Sequence, residues 1–278
     1  MTILFPCDQN LKQVDENFLI EFNMCKELQI NTALYDHDKL ISDDIIKITN
    51  FSDDKIILRS WMLNKSQYLK LYNKLLIKNC KLINNVDEYL YCHYFPNVLQ
   101  DIKNYCINST WFYLSDMDDK LLKLVHKNIK TDLIIKDFVK SEKGTNYFKI
   151  NKDITFNDFK IFVNAFINER QPLFNEGIVL KEYLKVKNNE WRAFILNGEL
   201  ISLDRNSSDN SLESPSIDYI KTIAKIINKS NFYTIDFIQK ENDEWIILEC
   251  GDGQVSGLSK NTNVKNFYVN LQNYINKS

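Results

Sequence analysis

Short apolar runs alternate with helically spaced apolar positions along the first hundred residues. TILFP (2–6), TALY (32–35) and KIIL (55–58) read as short buried strands. Between the first two, Phe18, Leu19, Phe22, Cys25 and Leu28 recur at helical spacing over residues 15–29. Strand, helix, strand predicts an α/β unit with a parallel pair. Residues 66–78 predict an amphipathic helix with Ser66 as N-cap and Tyr68, Leu71, Tyr72 and Leu75 on one face. A further short strand is expected at 81–83. Residues 86–106 read as mostly helical, interrupted near Pro96.

The pattern changes after about residue 107. DLIIKDFV (132–139) predicts a strand leading into the polar loop KSEKGTN (140–146). A helix is expected over 155–170, opened by Thr155 with Asp158 at capping-box spacing. GIVLKEYLKV (177–186), WRAFIL (191–196) and ELISLD (199–204) predict strands, and Asn197-Gly198 predicts a type I′ hairpin turn. A helix over 215–229 follows. FYTIDFI (232–238) and EWIILE (244–249) predict a strand pair, and a last helix is expected over 261–276. The expectation is an α/β domain over 1–115, then an α+β domain of antiparallel strands and helices over 116–278. The division is soft, between 105 and 130.

With 44% hydrophobic and 26% charged residues, the chain reads as a folded globular protein. A net charge of −2 offers no bulk attraction to nucleic acid or an anionic membrane. No apolar run approaches the roughly 18–20 residues of a membrane span. The six cysteines form no CxxC pair and read as reduced thiols, so a cytoplasmic location is expected. His37, His93 and His126 are scattered and supply no Ser/His/Asp or Cys/His set. Cys92-His93 reads as structural.

Chemistry concentrates elsewhere. In WIILECGDGQ (245–254), two of only six glycines sit beside two carboxylates at the end of an apolar run. Asp236 and Glu249 belong to strands joined by a short turn. Side by side they would repel, and a divalent cation would relieve that cost; otherwise each points to solvent. Lys136 leaves an apolar strand ahead of Lys140, Lys143 and Gly144, a set suited to phosphate oxygens or simply a solvated loop. The strand IVLKEYL (178–184) can offer backbone groups to an adenine edge. Glu190 and Arg192 share a strand face. Arg192 there holds a phosphate or carboxylate, or forms an ordinary cross-strand ion pair. Arg59 ends strand 55–58, where open α/β sheets bind ligands, and can hold a substrate carboxylate. Trp61 and Met62 beside it read as pocket wall or core.

The order of these features resembles the ATP-grasp superfamily: strand lysine, lysine/glycine loop, strand with glutamate, Glu-x-Arg, strand aspartate, strand glutamate. The blocks RSWML (59–63), IKDFVKS (135–141), KEYL (181–184), EWR (190–192) and ECGDGQVSGL (249–258) look most like a bacterial and viral clade of mostly unassigned substrate. The resemblance implies a Rossmann-like pre-ATP-grasp domain followed by an ATP-grasp domain, with ATP and Mg²⁺ as cofactors. It implies phosphate contacts from Lys136, and a mobile loop of Lys140, Ser141 and Lys143 closing over them, with Lys143 catalytic. Lys181 would lie at the nucleotide. Glu182, Tyr183 and Leu184 match the hinge that receives adenine. Glu190 would contact ribose or orient Arg192, and Arg192 would stabilise the transferred phosphoryl group. Asp236 and Glu249 match the magnesium ligands.

Two departures stand out. The usual Glu-x-Asn is here Glu249-Cys250-Gly251, so either Asp252 replaces the asparagine as a ligand or a second metal binds more weakly. The loop 140–146 carries one glycine, fewer than in many relatives. Gly251 and Gly253 would let the backbone turn sharply towards a ligand, aiming Asp252 and Gln254 into the cleft, Gln254 towards substrate. The implied reaction joins a small-molecule, peptide or protein carboxylate to an amine or other nucleophile through an acylphosphate. The alternatives are a small-molecule kinase, a nucleotidyl-transferring ligase and a silent nucleotide-binding module. The second lacks its KxDG context, because Lys136-Asp137-Phe138-Val139 has no glycine.

Overall fold

A computed structural model describes the chain except for residues 43, 52, 54, 140–148, 172, 207–212 and 278 and the side chains of 276 and 277. Its N-terminal part is β1 (Thr2–Cys7), α1 (Leu19–Glu27), β2 (Asn31–Asp36), α2 (His37–Ile41), β3 (Lys55–Leu58), α3 (Lys65–Leu76) and β4 (Lys81–Leu82). The strands form a parallel sheet in the order β2-β1-β3-β4, as the strand–helix–strand pattern predicts. Two helices follow, α4 (Val86–His93) and α5 (Phe95–Ile102). The break falls at Tyr94, which leaves Pro96 in the first turn of α5, where a missing N–H costs nothing. The cap of α3 is Asn64, not Ser66. Asn64 and Gln67 form a reciprocal capping box, and the Ser66 hydroxyl donates to Asn64.

The chain continues with β5 (Ser109–Tyr113), α6 (Asp119–Asn128), β6 (Leu133–Asp137), β7 (Lys149–Ile150), α7 (Phe156–Arg170) and β8 (Gly177–Glu182). These strands build an antiparallel central sheet in the order β5-β8-β6-β7. Thus residues 109–113 join the sheet of the segments after residue 116. Next come β9 (Val186–Leu196), β10 (Glu199–Arg205), α8 (Ile217–Ile226), β11 (Phe232–Lys240), β12 (Trp245–Asp252) and α9 (Val264–Lys277). Here the sheet order is β10-β9-β11-β12, again antiparallel. Asn197 and Gly198 both have positive φ, 48° and 82°, as a type I′ turn requires.

The run 177–186 is not one strand. It breaks after Glu182 and resumes at Val186 in a different sheet, so residues 183–185 carry the chain from the central to the C-terminal sheet. A core of Ile3, Phe5 and Leu34 with Phe194, Phe232, Phe267 and Leu271 packs the parallel sheet against the C-terminal sheet.

Candidate functional site

Strand register assembles the centre. Arg192 on β9 pairs with Asp236 on β11, and Asp236 pairs with Glu249 on β12, so the three side chains form a row on one sheet face. The guanidinium meets Asp236 as a fork: Nε donates to Oδ1 and Nη2 to Oδ2, both at 2.7 Å. Nη1 donates to the Gly257 carbonyl at 2.9 Å. The acid partner raises the Arg192 pKa further despite burial.

The central sheet faces this row with two lysines. Ile134 pairs with Lys181 in the β6–β8 ladder, which sets Lys136 and Lys181 diagonally on one face. Lys136 ion-pairs with Glu249 and also donates to the Val139 carbonyl at 3.4 Å. Lys181 donates to the Leu248 carbonyl at 2.5 Å. Both ammonium groups lie over the ring of Phe95, at 5.5 and 3.9 Å from its centroid. Burial, together with the like charge of Lys136, pulls the Lys181 pKa down to about 8. Burial pushes the Glu249 carboxyl up, but Lys136, then Lys181 and Arg192, outweigh it and hold it at about 2.

Two cavities meet at the row. The larger, about 290 Å³, lies between the two antiparallel sheets; Lys136, Lys181 and Glu182 line it, with Tyr183 and Leu184 on the crossing segment and Glu190 on β9. The Glu182 and Tyr183 N–H groups are already bonded to the carbonyls of Asn108 and Asp132. Glu190 accepts from the Asn206 amide at 2.6 Å. The smaller cavity, about 150 Å³, is lined by Thr234, Gly251 and Ser256, with Met62 and His93 from the N-terminal part. Arg192, Asp236 and Glu249 line both cavities.

Three residues expected in the cleft lie elsewhere. β12 runs on through Asp252, so strand alternation puts Glu249 and Gly251 on the cleft face and Asp252 on the other. Asp252 is fully buried; it accepts from Asn84 at 2.6 Å and from the Gln254 amide at 2.9 Å. Burial raises its pKa to about 7 against those hydrogen bonds. Gln254 accepts from the Leu58 amide and donates to the Tyr68 hydroxyl, bracing β12 to the parallel sheet. Arg59, 1% exposed, is held by Glu21 at 2.8 and 3.1 Å and by the Gly253 carbonyl at 2.7 Å. Its donors bind protein, not a substrate carboxylate. Neither Gly251 nor Gly253 has positive φ. A Cβ at Gly251 would meet Ser256 Oγ at 2.8 Å, and one at Gly253 the Phe232 ring at 2.8 Å. Close packing, not a sharp turn, explains this glycine pair.

Lys140, Ser141 and Lys143 lie outside the described residues. Phe95 and His93 carry no sequence signal for the site. His93, read as structural, borders the smaller cavity as a neutral ring, its pKa pulled down to about 3 by burial and then Lys136.

Magnesium takes oxygen ligands, commonly one or two carboxylates completed by phosphate oxygens. Asp236 and Glu249 suit it: adjacent in register, each keeps oxygen lone pairs beyond those given to Arg192 and Lys136. Among the described residues, no group of three acidic, histidine or cysteine side chains gathers to hold a metal without such help.

A cleft of about 290 Å³ between two antiparallel sheets, lysines on one wall and carboxylates on the other, defines a phosphate-handling class of protein. Residues 124–271, more than half of the chain, match the model of an ATP-grasp domain, family 3 of its clade, and the chain belongs to that family. It is thus a protein of the ATP-grasp type. Among curated proteins, none matches the sequence. Solved structures share the fold at low identity. D-cycloserine synthetase DcsG aligns with TM-score 0.66 and 11% identity over 99% of this chain and 100% of its own. The D-alanine–D-alanine ligase from Coxiella burnetii gives 0.64 and 11% over 98% and 94%. Macrocyclase MdnC from Microcystis aeruginosa MRC, bound with its precursor peptide MdnA, gives 0.63 and 11% over 98% of both chains. Among the described residues, no helix is long and apolar enough to cross a membrane.

Proposed function

We propose that the protein ligates a carboxylate to an amine or similar nucleophile through an acylphosphate. The observation that carries this reading is the Arg192–Asp236–Glu249 row shared by two cavities, with lysines beside the larger one. The larger cavity takes ATP. Adenine lies against Tyr183 and Leu184, and Glu190 faces the ribose. Lys136 and Lys181 neutralise phosphate oxygens, as phosphoryl transfer requires charge compensation more than a covalent protein group. Arg192 keeps guanidinium N–H groups beyond its three described bonds for the transferred phosphoryl. Magnesium, when bound at Asp236 and Glu249, neutralises phosphate charge.

A substrate carboxylate oxygen attacks the γ-phosphorus and ADP leaves. The nucleophile then attacks the acyl carbon, and phosphate leaves. The D-alanine–D-alanine ligase and the peptide macrocyclase among the structural neighbours support a small-molecule or peptide acid as substrate.

Calorimetric titration with a non-hydrolysable ATP analogue, with and without Mg²⁺, tests the nucleotide assignment. Metal-dependent binding, weakened in Glu249→Gln and Lys136→Ala, is expected. Unchanged binding in both variants would sink it. With ATP, a matching acid should release ADP and yield a hydroxamate when hydroxylamine is present. A phosphoester or AMP product would point to a kinase or an adenylating enzyme instead.

A further inference from the structure

The open edges of the three sheets are not treated alike. A strand edge presents a row of N–H and C=O groups ready to pair with another chain, so proteins cover it, shorten it or charge it. β2 is covered by residues 47–49, whose backbone bonds to Leu34 and Asp36. β12 is covered by Tyr105 and Ile107, both bonded to Ile247. β4 and β7 have two residues each and carry Lys81 and Lys149. β10 carries Glu199, Asp204 and Arg205, and its Ile201 carbonyl accepts from Asn270 of α9. β5 has none of these devices. Ser-Thr-Trp-Phe-Tyr is five residues long, without charge or proline.

The register says which of its backbone groups are open. The Glu182 N–H donates to the Asn108 carbonyl, so in the same ladder Thr110 and Phe112 turn their groups to β8. Ser109, Trp111 and Tyr113 therefore turn theirs outward, and among the described residues nothing bonds to them there. Trp111 and Tyr113, 39% and 44% exposed, share the sheet face of Val179 and Lys136. Their rings lie 5.6 Å apart, and 5.6 and 5.4 Å from the buried ring of Phe138. Gly177, opposite Tyr113, makes room for that ring, since a Cβ there would come within 2.5 Å of it. The exposed pair thus rests on a fixed support.

The two ends of β5 differ in charge. Beyond Tyr113 come Asp116 and Asp118, both exposed. At the other end Asn108 donates to the Asn128 carbonyl at 3.3 Å, which brings the last turn of α6 there, with exposed Lys127 and, just after it, Lys130.

We propose that β5 is the contact of a twofold dimer, in which it pairs antiparallel with β5 of a second copy. Centred on Trp111, that register sets Trp111 against Trp111 and Ser109 against Tyr113, so every outward N–H meets an outward C=O. The aromatic pairs meet across the axis on one face of a continuous sheet. The acidic end of each strand meets the basic end of the other. An extended peptide would satisfy the same backbone groups, and the opposite charges at the two ends are what favour a second copy. The axis stands perpendicular to the sheet, so both clefts lie on the same face. None of this depends on the nucleotide or ligase assignment. A five-residue strand makes a small interface, so association in the micromolar range is expected.

Sedimentation velocity of the full chain over a wide concentration range tests the pairing. The wild type should pass from monomer to dimer as concentration rises. Trp111→Lys and Trp111→Glu each set like charges against one another at the axis and should stay monomeric. Mixed in equal amounts, the two variants should associate again, because residue 111 faces its own copy. Melting temperature is the reference for folding in each. Hydrogen exchange needs no variant: the Trp111 and Tyr113 amides of the wild type should be protected when concentrated and exposed on dilution. A wild type that stays monomeric would overturn the proposal and leave the edge to an extended peptide. A dimer that survives both substitutions, or folded variants that ignore each other when mixed, would put the contact elsewhere and overturn it as well. So would amides at 111 and 113 whose exchange does not respond to concentration.

Discussion

Replacing Glu249 with glutamine preserves shape and deletes one charge between two lysines. Lys136, 3% exposed, then keeps the Val139 carbonyl and the Phe95 ring but loses its carboxylate. Breaking a buried pair from one side costs about 3–5 kcal/mol. Glu249 is itself 30% exposed, so solvent compensates in part and the lower end, about 3 kcal/mol, is expected. For a chain of this size that is a fall in Tm of about 6–12 °C. The deficit should depend on pH with a definite sign. Lys181 titrates at about 8 in the folded protein against 10.5 ordinarily. A base depressed by folding binds fewer protons folded than unfolded between those values, so stability rises with pH across that window. Without Glu249 the window opens lower, because the carboxylate no longer favours the charged Lys181. The gap between variant and wild type should therefore be widest near neutrality and narrow towards pH 10. Lys136→Met should cost less, since Glu249 keeps Lys181 and Arg192 nearby. Thermal melts of the unliganded proteins across pH decide the matter. Equal melting at pH 7, or a gap that widens with pH, would refute the charge-balance reasoning.

Arg59→Met strands Glu21 among buried residues and should cost about 3–5 kcal/mol in denaturant unfolding while leaving analogue affinity intact in the folded fraction. Asp252 binds a proton more tightly folded than unfolded, so between pH 3.8 and about 7 it should tilt stability downward as pH rises; that slope should vanish in Asp252→Asn. Phe95→Leu removes the ring beneath both lysines, and at about 0.5–2 kcal/mol per cation–π contact the analogue should bind several-fold more weakly, whereas Phe95→Tyr should retain affinity.

Much of the fold is legible in the sequence because alternation and helical spacing are local. The errors also have local causes. Leu184 and Val186 continue the apolar rhythm of 177–182, and nothing in that rhythm marks a change of sheet. Asp252 is misaimed in the sequence reading because the apolar run stops at Glu249 while the strand does not. Continued extension from Glu249 to Asp252 lands the aspartate on the opposite face. Arg59 reads as free because Glu21, its partner, lies 38 residues away. The cap of α3 is readable, since Asn64 and Gln67 have the capping-box spacing and Ser66 merely sits beside them. His93 and Phe95 have no local signature. They reach the site because α4 and α5 pack on β12, a contact created by chain return rather than by sequence proximity.

The Arg59 anchor bears on how the chain matures on the ribosome. Its partners are Glu21, the Gly253 carbonyl and, through Glu21, the Tyr268 hydroxyl. At about 5–20 residues per second, roughly 10–40 s separate the synthesis of Arg59 from that of Tyr268. Once β4 has been made the parallel sheet is complete in sequence, yet its apolar face gains Phe194, Phe232 and Phe267 only as the rest of the chain follows. Until those residues and the closing helix are made, the apolar face of the N-terminal third has no partner from its own chain to cover it.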